Sequence, residues 1–195
     1  MTGSNGQQGF GMTKGHDSDE WLMGQVALGK RELLAPLVRR YSSPLLTFID
    51  RIVGDRHRAE ELFQEVFLAV WVKRKQYRFP RTFRSWLFAI AANRCKADYR
   101  RSKPAAAPLD ETSHLVPVAA GKGPAETAVE TETATLVATA VAQLPPQQRS
   151  VVVLRVWNGL SYAEIAASLG CAEGTVRSHM HHGLTGMRKY LEPRM

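Results

Sequence analysis

The thirteen residues Ala59-Glu-Glu-Leu-Phe-Gln-Glu-Val-Phe-Leu-Ala-Val-Trp71 constrain the fold more than any other part of the chain. Ala59, Leu62, Phe63, Val66, Phe67, Val70 and Trp71 recur at the i, i+3, i+4, i+7 spacing that gathers side chains on one side of a 3.6-residue helix. A helix running roughly from Asp55 to Gln76 must bury that stripe against other elements. Glu61, Gln64, Glu65 and Leu68 fall on the opposite side and give it two carboxylates, an amide and an isolated large apolar side chain. Such a face suits plain solvation or a basic partner helix, and the surrounding sequence bears on the choice.

The charge of the chain is unevenly spread. The formal net charge is +8, a balance that favours a polyanionic partner. From Val66 to Pro108 eleven Lys and Arg face a single acid, Asp98, so that about a fifth of the chain carries +10. Hydrophobic residues make up 44%, enough to build real cores. No apolar run approaches the ~20 residues of a membrane-spanning helix, and the N-terminus lacks a signal-peptide core, so a cytoplasmic protein without membrane insertion is expected. Cys95 and Cys171 stand alone, without CxxC spacing, and read as reduced thiols.

Taken in order, residues 1–17 have the Gly, Gln, Ser and Thr content of a disordered tail. Ser18 or Asp19 caps a short helix through Trp21, Leu22 and Val26 to Gly29. A second helix begins near Arg31 with Leu34, Leu37, Val38 and Tyr41, is interrupted or kinked at Ser42-Ser-Pro44, and continues through Leu45, Phe48 and Ile49 to Gly54. Asp55 caps the organising helix. Lys73 to Phe83 loses periodicity and mixes cations with aromatics, which predicts a loop. A fourth helix spans about Thr82 to Arg101, with Phe83, Trp86, Leu87, Ile90, Ala91 and Ala97 inward and Arg84, Phe88, Lys96, Tyr99 and Arg100 on its other side. Interleaved cations and exposed rings suit a single strand, cations tracking phosphates while rings stack on unpaired bases. A basic solvated helix with its rings tucked against neighbours fits the same pattern.

Residues 104–125 shift to Pro, Ala and Gly and read as a flexible linker. A helix from about Glu126 to Gln143, a Leu144-Pro-Pro146 break and a helix from Gln147 to Trp157 follow. Ser161-Tyr-Ala-Glu164 is a capping box opening a short helix to Leu169, with Tyr162, Ile165 and Ala166 inward. A turn at Gly170-Cys171-Ala172 leads to a last helix from near Glu173 that buries Val176, Met180, Leu184, Met187 and Leu191. Gly183 and Gly186 each weaken that helix by roughly 1 kcal/mol relative to alanine, so its end is expected to fray. Two short helices joined by a tight glycine turn, the second with a polar outer face, form a helix-turn-helix pattern. Thr175, Arg177, Ser178, His181, His182 and Lys189 lie on that outer face. The histidines splay around the helix and no carboxylate or thiol completes a set, so neither a metal nor another cofactor is expected.

These pieces together resemble the extracytoplasmic-function (ECF) branch of the sigma-70 family of bacterial RNA polymerase. The resemblance rests on Ala59-Glu60-Glu61-Leu62 with Gln64-Glu65 and Phe67, on Phe83, Trp86-Leu87, Ile90-Ala91, Asn93, Asp98 and Arg101, on Leu144-Pro145 with Gln147-Gln148-Arg149, on Leu160-Ser161-Tyr162 with Glu164-Ile165-Ala166, and on Gly174-Thr175-Val176-Arg177-Ser178. It implies an all-α chain of two small helical domains, 18–103 and 126–195, joined by the linker. By resemblance Glu61, Gln64, Glu65 and Leu68 bind core polymerase. Lys75, Tyr77, Arg78, Phe79, Arg84, Phe88, Asn93, Lys96 and Arg100 serve the minus-10 element, and the outer face of the last helix reads the minus-35 element. Partners implied are core polymerase, promoter DNA as duplex and melted strand, and an anti-sigma protein. Relatives often carry more arginine where this chain has Ser178-His-Met-His-His-Gly183.

A stand-alone helix-turn-helix regulator explains Ser161 to Leu191 but leaves the acidic face and the cationic segment idle. An enzyme is disfavoured by the lack of a glycine-rich phosphate loop, a metal cluster or a nucleophile motif.

Overall fold

The structure, a computed structural model, describes residues 18–78, 81–102 and 128–194, and every regular element among them is helical. Eight α-helices follow in order: α1 (Asp19–Ala27), α2 (Leu34–Val53), α3 (Arg56–Val72), α4 (Phe83–Ser102), α5 (Ala128–Ala142), α6 (Pro146–Val156), α7 (Tyr162–Leu169) and α8 (Glu173–Leu191). Short 3-10 turns occupy Arg31–Leu33, Arg74–Gln76 and Glu192–Arg194. The expected tail and linker lie outside the described residues.

Local chemistry sets the ends of these helices. Ser18 accepts from the Trp21 amide at 3.2 Å and Asp55 from the Arg58 amide at 2.8 Å, each satisfying a donor the first turn leaves free. Gly54 closes α2 in the left-handed region, φ 76°, where a side chain would be strained. The reciprocal capping box forms at α7: the Ser161 side chain accepts from the Glu164 amide while the glutamate accepts from the Ser161 amide.

Two readings of helix continuity give way to packing. α2 runs unbroken through Pro44, because Leu37, Tyr41, Leu45, Phe48 and Ile49 stay in register as one buried stripe on both sides of the proline. Burying that stripe outweighs the single bond a proline removes. In α8, Val176, Met180 and Gly183 are buried, whereas Leu184 is exposed and Met187 and Leu191 are only half-buried. Gly183 sits where a β-carbon would meet Val152 Cγ2 of α6 at 2.7 Å, so the absent side chain is what lets α6 and α8 approach, and α8 extends past both glycines rather than ending there.

This contact predicts opposite outcomes for two glycines. Gly24→Ala, in α1 with nothing near its β-carbon position, should raise the stability by up to about 1 kcal/mol. Gly183→Ala gains the same propensity but must push against a buried β-branched side chain, an overpacking cost of about 1–3 kcal/mol. Urea unfolding of the two variants checks the contrast, and a stabilised Gly183→Ala would contradict the close approach.

The core of the N-terminal helices is built from Leu62, Val66 and Val70 of α3, Phe48 and Ile49 of α2, and Phe83, Leu87 and Phe88 of α4. Phe63 and Trp71 sit half-buried at the margins of the α3 stripe. The first half of α4 is buried nearly all round: Ser85, Trp86, Leu87, Phe88, Ala89 and Ile90 are all buried, while Ala97 is exposed. The cause is that α4 has neighbours on two sides, with α2 and α3 on one and α7 on the other.

The N- and C-terminal helices therefore touch. Side-chain donors cross between them to backbone carbonyls: Arg81 to Ala167 at 3.0 Å, Arg84 to Asn158, Asn158 to Pro44 at 2.8 Å, Ser168 to Ser85 at 3.1 Å and Arg149 to Ile52 at 3.2 Å. Arg149 also donates to the carbonyl of Ala142 at the C-terminal end of α5 and to that of Leu144 just beyond it. Burial pushes its guanidinium down to about 10, still cationic near neutrality.

Candidate functional site

The outward face of α3 is present as the sequence pattern requires. Glu61 and Gln64 are exposed, Glu65 is half-buried, and Leu68 is 62% exposed. Val72, one helical turn beyond Leu68, is 67% exposed and extends the apolar part of the face. The sequence reading did not single it out, although the i, i+4 step from Leu68 carries the signal. The carboxylates are not free. Arg58 Nη1 donates to Glu61 at 2.5 Å and Nη2 to Glu65 at 3.4 Å, while Nε and Nη2 hold Asp98 of α4 at 2.8 and 2.7 Å. His57 lies 3.4 Å from Glu61 and Arg94 lies 3.6 Å from Glu65. The hydrogen bonds to Asp98 and then Glu61 raise the Arg58 pKa above its ordinary value.

Beside this face runs the cationic segment, and here the structure corrects two residues expected to meet nucleic acid. Tyr77 is buried: its ring packs 5.3 Å from Trp86 and its hydroxyl donates to the Arg81 carbonyl at 2.7 Å. Burial, reinforced by Glu20 and Asp19, pushes that phenol up to about 12. Phe88 is wholly inaccessible and meets Phe48 edge-on at 5.5 Å. Phe88 goes inward because α4 is covered on two sides and not one, and the Tyr77 ring packs against Phe83 and Trp86 of that same helix. Arg84 is half-buried and donates to the Asn158 carbonyl, so it spans the two sets of helices. Phe79 lies outside the described residues.

The remaining members of that set are accessible. Lys75, Arg78, Asn93, Lys96 and Arg100 are all exposed. Arg78 folds back on its own turn, donating to the carbonyls of Lys75 and Tyr77. Asn93 lines a groove of about 340 Å³ between the end of α3 and α4, together with Lys73, Gln76, Arg81, Trp86, Ile90 and Arg94. A lining that is mainly polar and cationic suits a phosphate.

On α8, Thr175, Arg177, Ser178, His181, His182 and Lys189 are all exposed. Arg177 lies 4.8 Å from the centroid of the Tyr162 ring and 3.5 Å from Glu173, so its guanidinium is oriented before any ligand arrives. Arg155 lies 5.0 Å from the same ring. Tyr162, expected inward, is half-buried and serves as the platform between them. No group of three or more potential metal ligands is found among the described residues.

Residues 37–104 match the family model of Sigma-70 region 2, and residues 134–185 match Sigma-70, region 4. The ECF RNA polymerase sigma factor SigW of Bacillus subtilis is 30% identical over 174 residues, covering 86% of this chain and 93% of SigW. The chain belongs to the ECF sigma factors of the sigma-70 family. The ECF sigma factor SigE of Mycolicibacterium smegmatis is 36% identical over 156 residues, 80% of this chain and 60% of SigE. Among solved structures, CnrH in complex with the cytosolic domain of CnrY shares the fold with a TM-score of 0.70 at 24% identity, covering 91% of this chain and 99% of CnrH. RpoE of Bartonella quintana in complex with the anti-sigma factor NepR gives 0.63 at 20% identity, covering 83% and 98%. The region 2 match spans α2 to α4 and thus holds the acidic face and the cationic groove. The region 4 match ends inside α8, so Lys189 lies beyond it. As a sigma factor the protein binds core RNA polymerase and promoter DNA in transcription initiation.

Proposed function

We propose that residues 18–103 form the module that docks to core polymerase and engages the minus-10 element, and that residues 126–195 form the module that reads the minus-35 element. The observation that carries this assignment is the adjacency of two unlike surfaces on α3 and α4. Glu61, Gln64, Glu65, Leu68 and Val72 offer carboxylates and apolar steps to a basic amphipathic helix of polymerase. Lys75, Arg78, Asn93, Lys96 and Arg100 face the DNA strand on the neighbouring surface. Docking by the first surface delivers the second to DNA, so the sigma factor works by positioning and needs no catalytic group of its own. It acts in the cytoplasm, where polymerase is. The likeness to a fold solved with an anti-sigma factor supports regulation of this chain by a protein of that kind.

Transcription from a cognate promoter with added core polymerase tests the whole reading. A stand-alone regulator would bind its duplex with full specificity and gain nothing from core enzyme.

On α8 the division of labour is phosphate contact for Arg177 and Lys189 and base contact for Ser178 and His181. The Tyr162 platform supports it for Arg177, since a guanidinium 4.8 Å from the ring centroid and 3.5 Å from Glu173 is already engaged and less free to follow a base edge. Arg177→Ala should weaken all promoter sequences alike and lower the salt slope of binding by about one. Titrations on minus-35 variants at several salt concentrations check this. Loss confined to one base position, with the slope unchanged, would assign Arg177 to a base instead.

A further inference from the structure

We propose that Arg58 is a positioning residue of the polymerase-docking face, holding Glu61 and Glu65 on α3 by anchoring them to Asp98 of α4. The inference rests on the docking role given above to those two glutamates.

The sequence places Arg58 for this role. Asp55 fixes the first turn of α3 by accepting from the Arg58 amide, and Glu61 and Glu65 then follow at i+3 and i+7 on the same side of the helix. Exposure grades outward along the chain of contacts: the side chain of Asp98 is 13% accessible, Arg58 27%, Glu65 34% and Glu61 47%. The guanidinium is thus fixed at its inner end by two bonds to one carboxylate oxygen, and it presents its remaining donors to the surface glutamates.

That anchor separates these contacts from ordinary surface ion pairs, which add little because two flexible chains must be immobilised for one exposed contact. Here the cation is already immobile. Two like charges one turn apart would otherwise repel and rotate away from each other, whereas Arg58 keeps both in place before a partner arrives, and preorganisation of this kind lowers the cost of binding.

The outer oxygens are held differently. Glu61 Oε1 faces the exposed His57 at 3.4 Å and Glu65 Oε2 faces Arg94 at 3.6 Å. Both contacts face solvent, so cations of a partner can replace them, while Arg58 keeps its 2.5 Å contact to Glu61 and its two bonds to Asp98. Arg101, 3.5 Å from Asp98, adds to the anchor from α4. A lysine at position 58 would keep the charge but could not reach Asp98 and both glutamates at once, because it has no planar fork.

The test is equilibrium binding of the full chain to core polymerase, with thermal melting in parallel, for R58A, R58K, E61Q/E65Q and the R58A/E61Q/E65Q triple variant. R58A should weaken core binding about tenfold, equivalent to 1.4 kcal/mol, and R58K should recover less than half of that loss. In the E61Q/E65Q background R58A should cost less than about twofold, because the groups it positions are gone. A plain structural staple between α3 and α4 would instead lose the same factor in both backgrounds, and that result overturns the proposal. Should R58A melt too low to assay, D98N provides the second route: it loosens the anchor and should weaken core binding in the parent but not in E61Q/E65Q. Parent-like binding by E61Q/E65Q refutes the docking role itself, whereas a loss there with parent-like R58A and R58K refutes only the positioning role.

Discussion

Reversing Glu61 and Glu65 to lysine together is expected to abolish assembly with core polymerase while the chain remains folded. Both residues sit on the outer face of α3, away from its buried stripe of Leu62, Val66 and Val70, so replacing them leaves the helix packing intact. Asp98 retains Arg58 after the reversal, so the link between α3 and α4 survives. At an interface the balance differs, since breaking one partner of a desolvated charge pair costs about 2–5 kcal/mol. Two such losses weaken binding by about a thousandfold or more. Co-elution with core enzyme, alongside circular dichroism of the free variant, checks the prediction. A folded double variant that still co-elutes would remove α3 from the interface.

Phe88→Ala should be the most damaging single truncation among the residues once expected to meet DNA, and the damage should be to stability. Its ring is fully enclosed and packs edge-on against Phe48. Emptying such a site costs about 3–5 kcal/mol, a large share of the 5–15 kcal/mol that holds a typical domain together. Denaturant unfolding of the full chain measures it. Asn93→Ala, on the exposed side of the same helix, should leave the midpoint within about 0.5 kcal/mol and weaken binding to the minus-10 strand. If Phe88→Ala kept its midpoint and lost only strand binding, the ring would have to be accessible in solution.

Much of this architecture is legible from the residues. The α3 stripe, the Ser18 and Asp55 caps, the Ser161–Glu164 box and the turn before α8 are all short-range signals, and each sits where the pattern puts it. What sequence periodicity misses is the second neighbour. A helix read alone has one buried face, so Phe88 falls outward on paper, yet α4 is covered on two sides and the ring goes in. Tyr77 misleads for a related reason, since a ring in a segment without periodicity carries no phase to say which way it points. Gly183 reads locally as a weak spot in α8 and structurally as the point of closest approach to α6. The acidic face is legible as composition. That its carboxylates share one guanidinium with Asp98, forty residues away, depends on how α3 meets α4, which no local pattern encodes.

The five side-chain bonds described between the N- and C-terminal helices all end on backbone carbonyls: those of Ala167, Asn158, Pro44, Ser85 and Ile52. A carbonyl is supplied by every amino acid, so each bond asks for a particular residue at one end only. The contact is therefore lopsided in what it demands of the gene. Arg81, Arg84, Arg149, Asn158 and Ser168 must keep their donors, whereas a codon change at Ala167 or Ile52 leaves the acceptor in place so long as the helix path is kept. The donors come from both sets of helices, Arg81 and Arg84 from one and Arg149, Asn158 and Ser168 from the other. The freedom therefore belongs to single acceptor positions such as Ala167 and Ile52 on either side, each of which can drift without a compensating change across the seam.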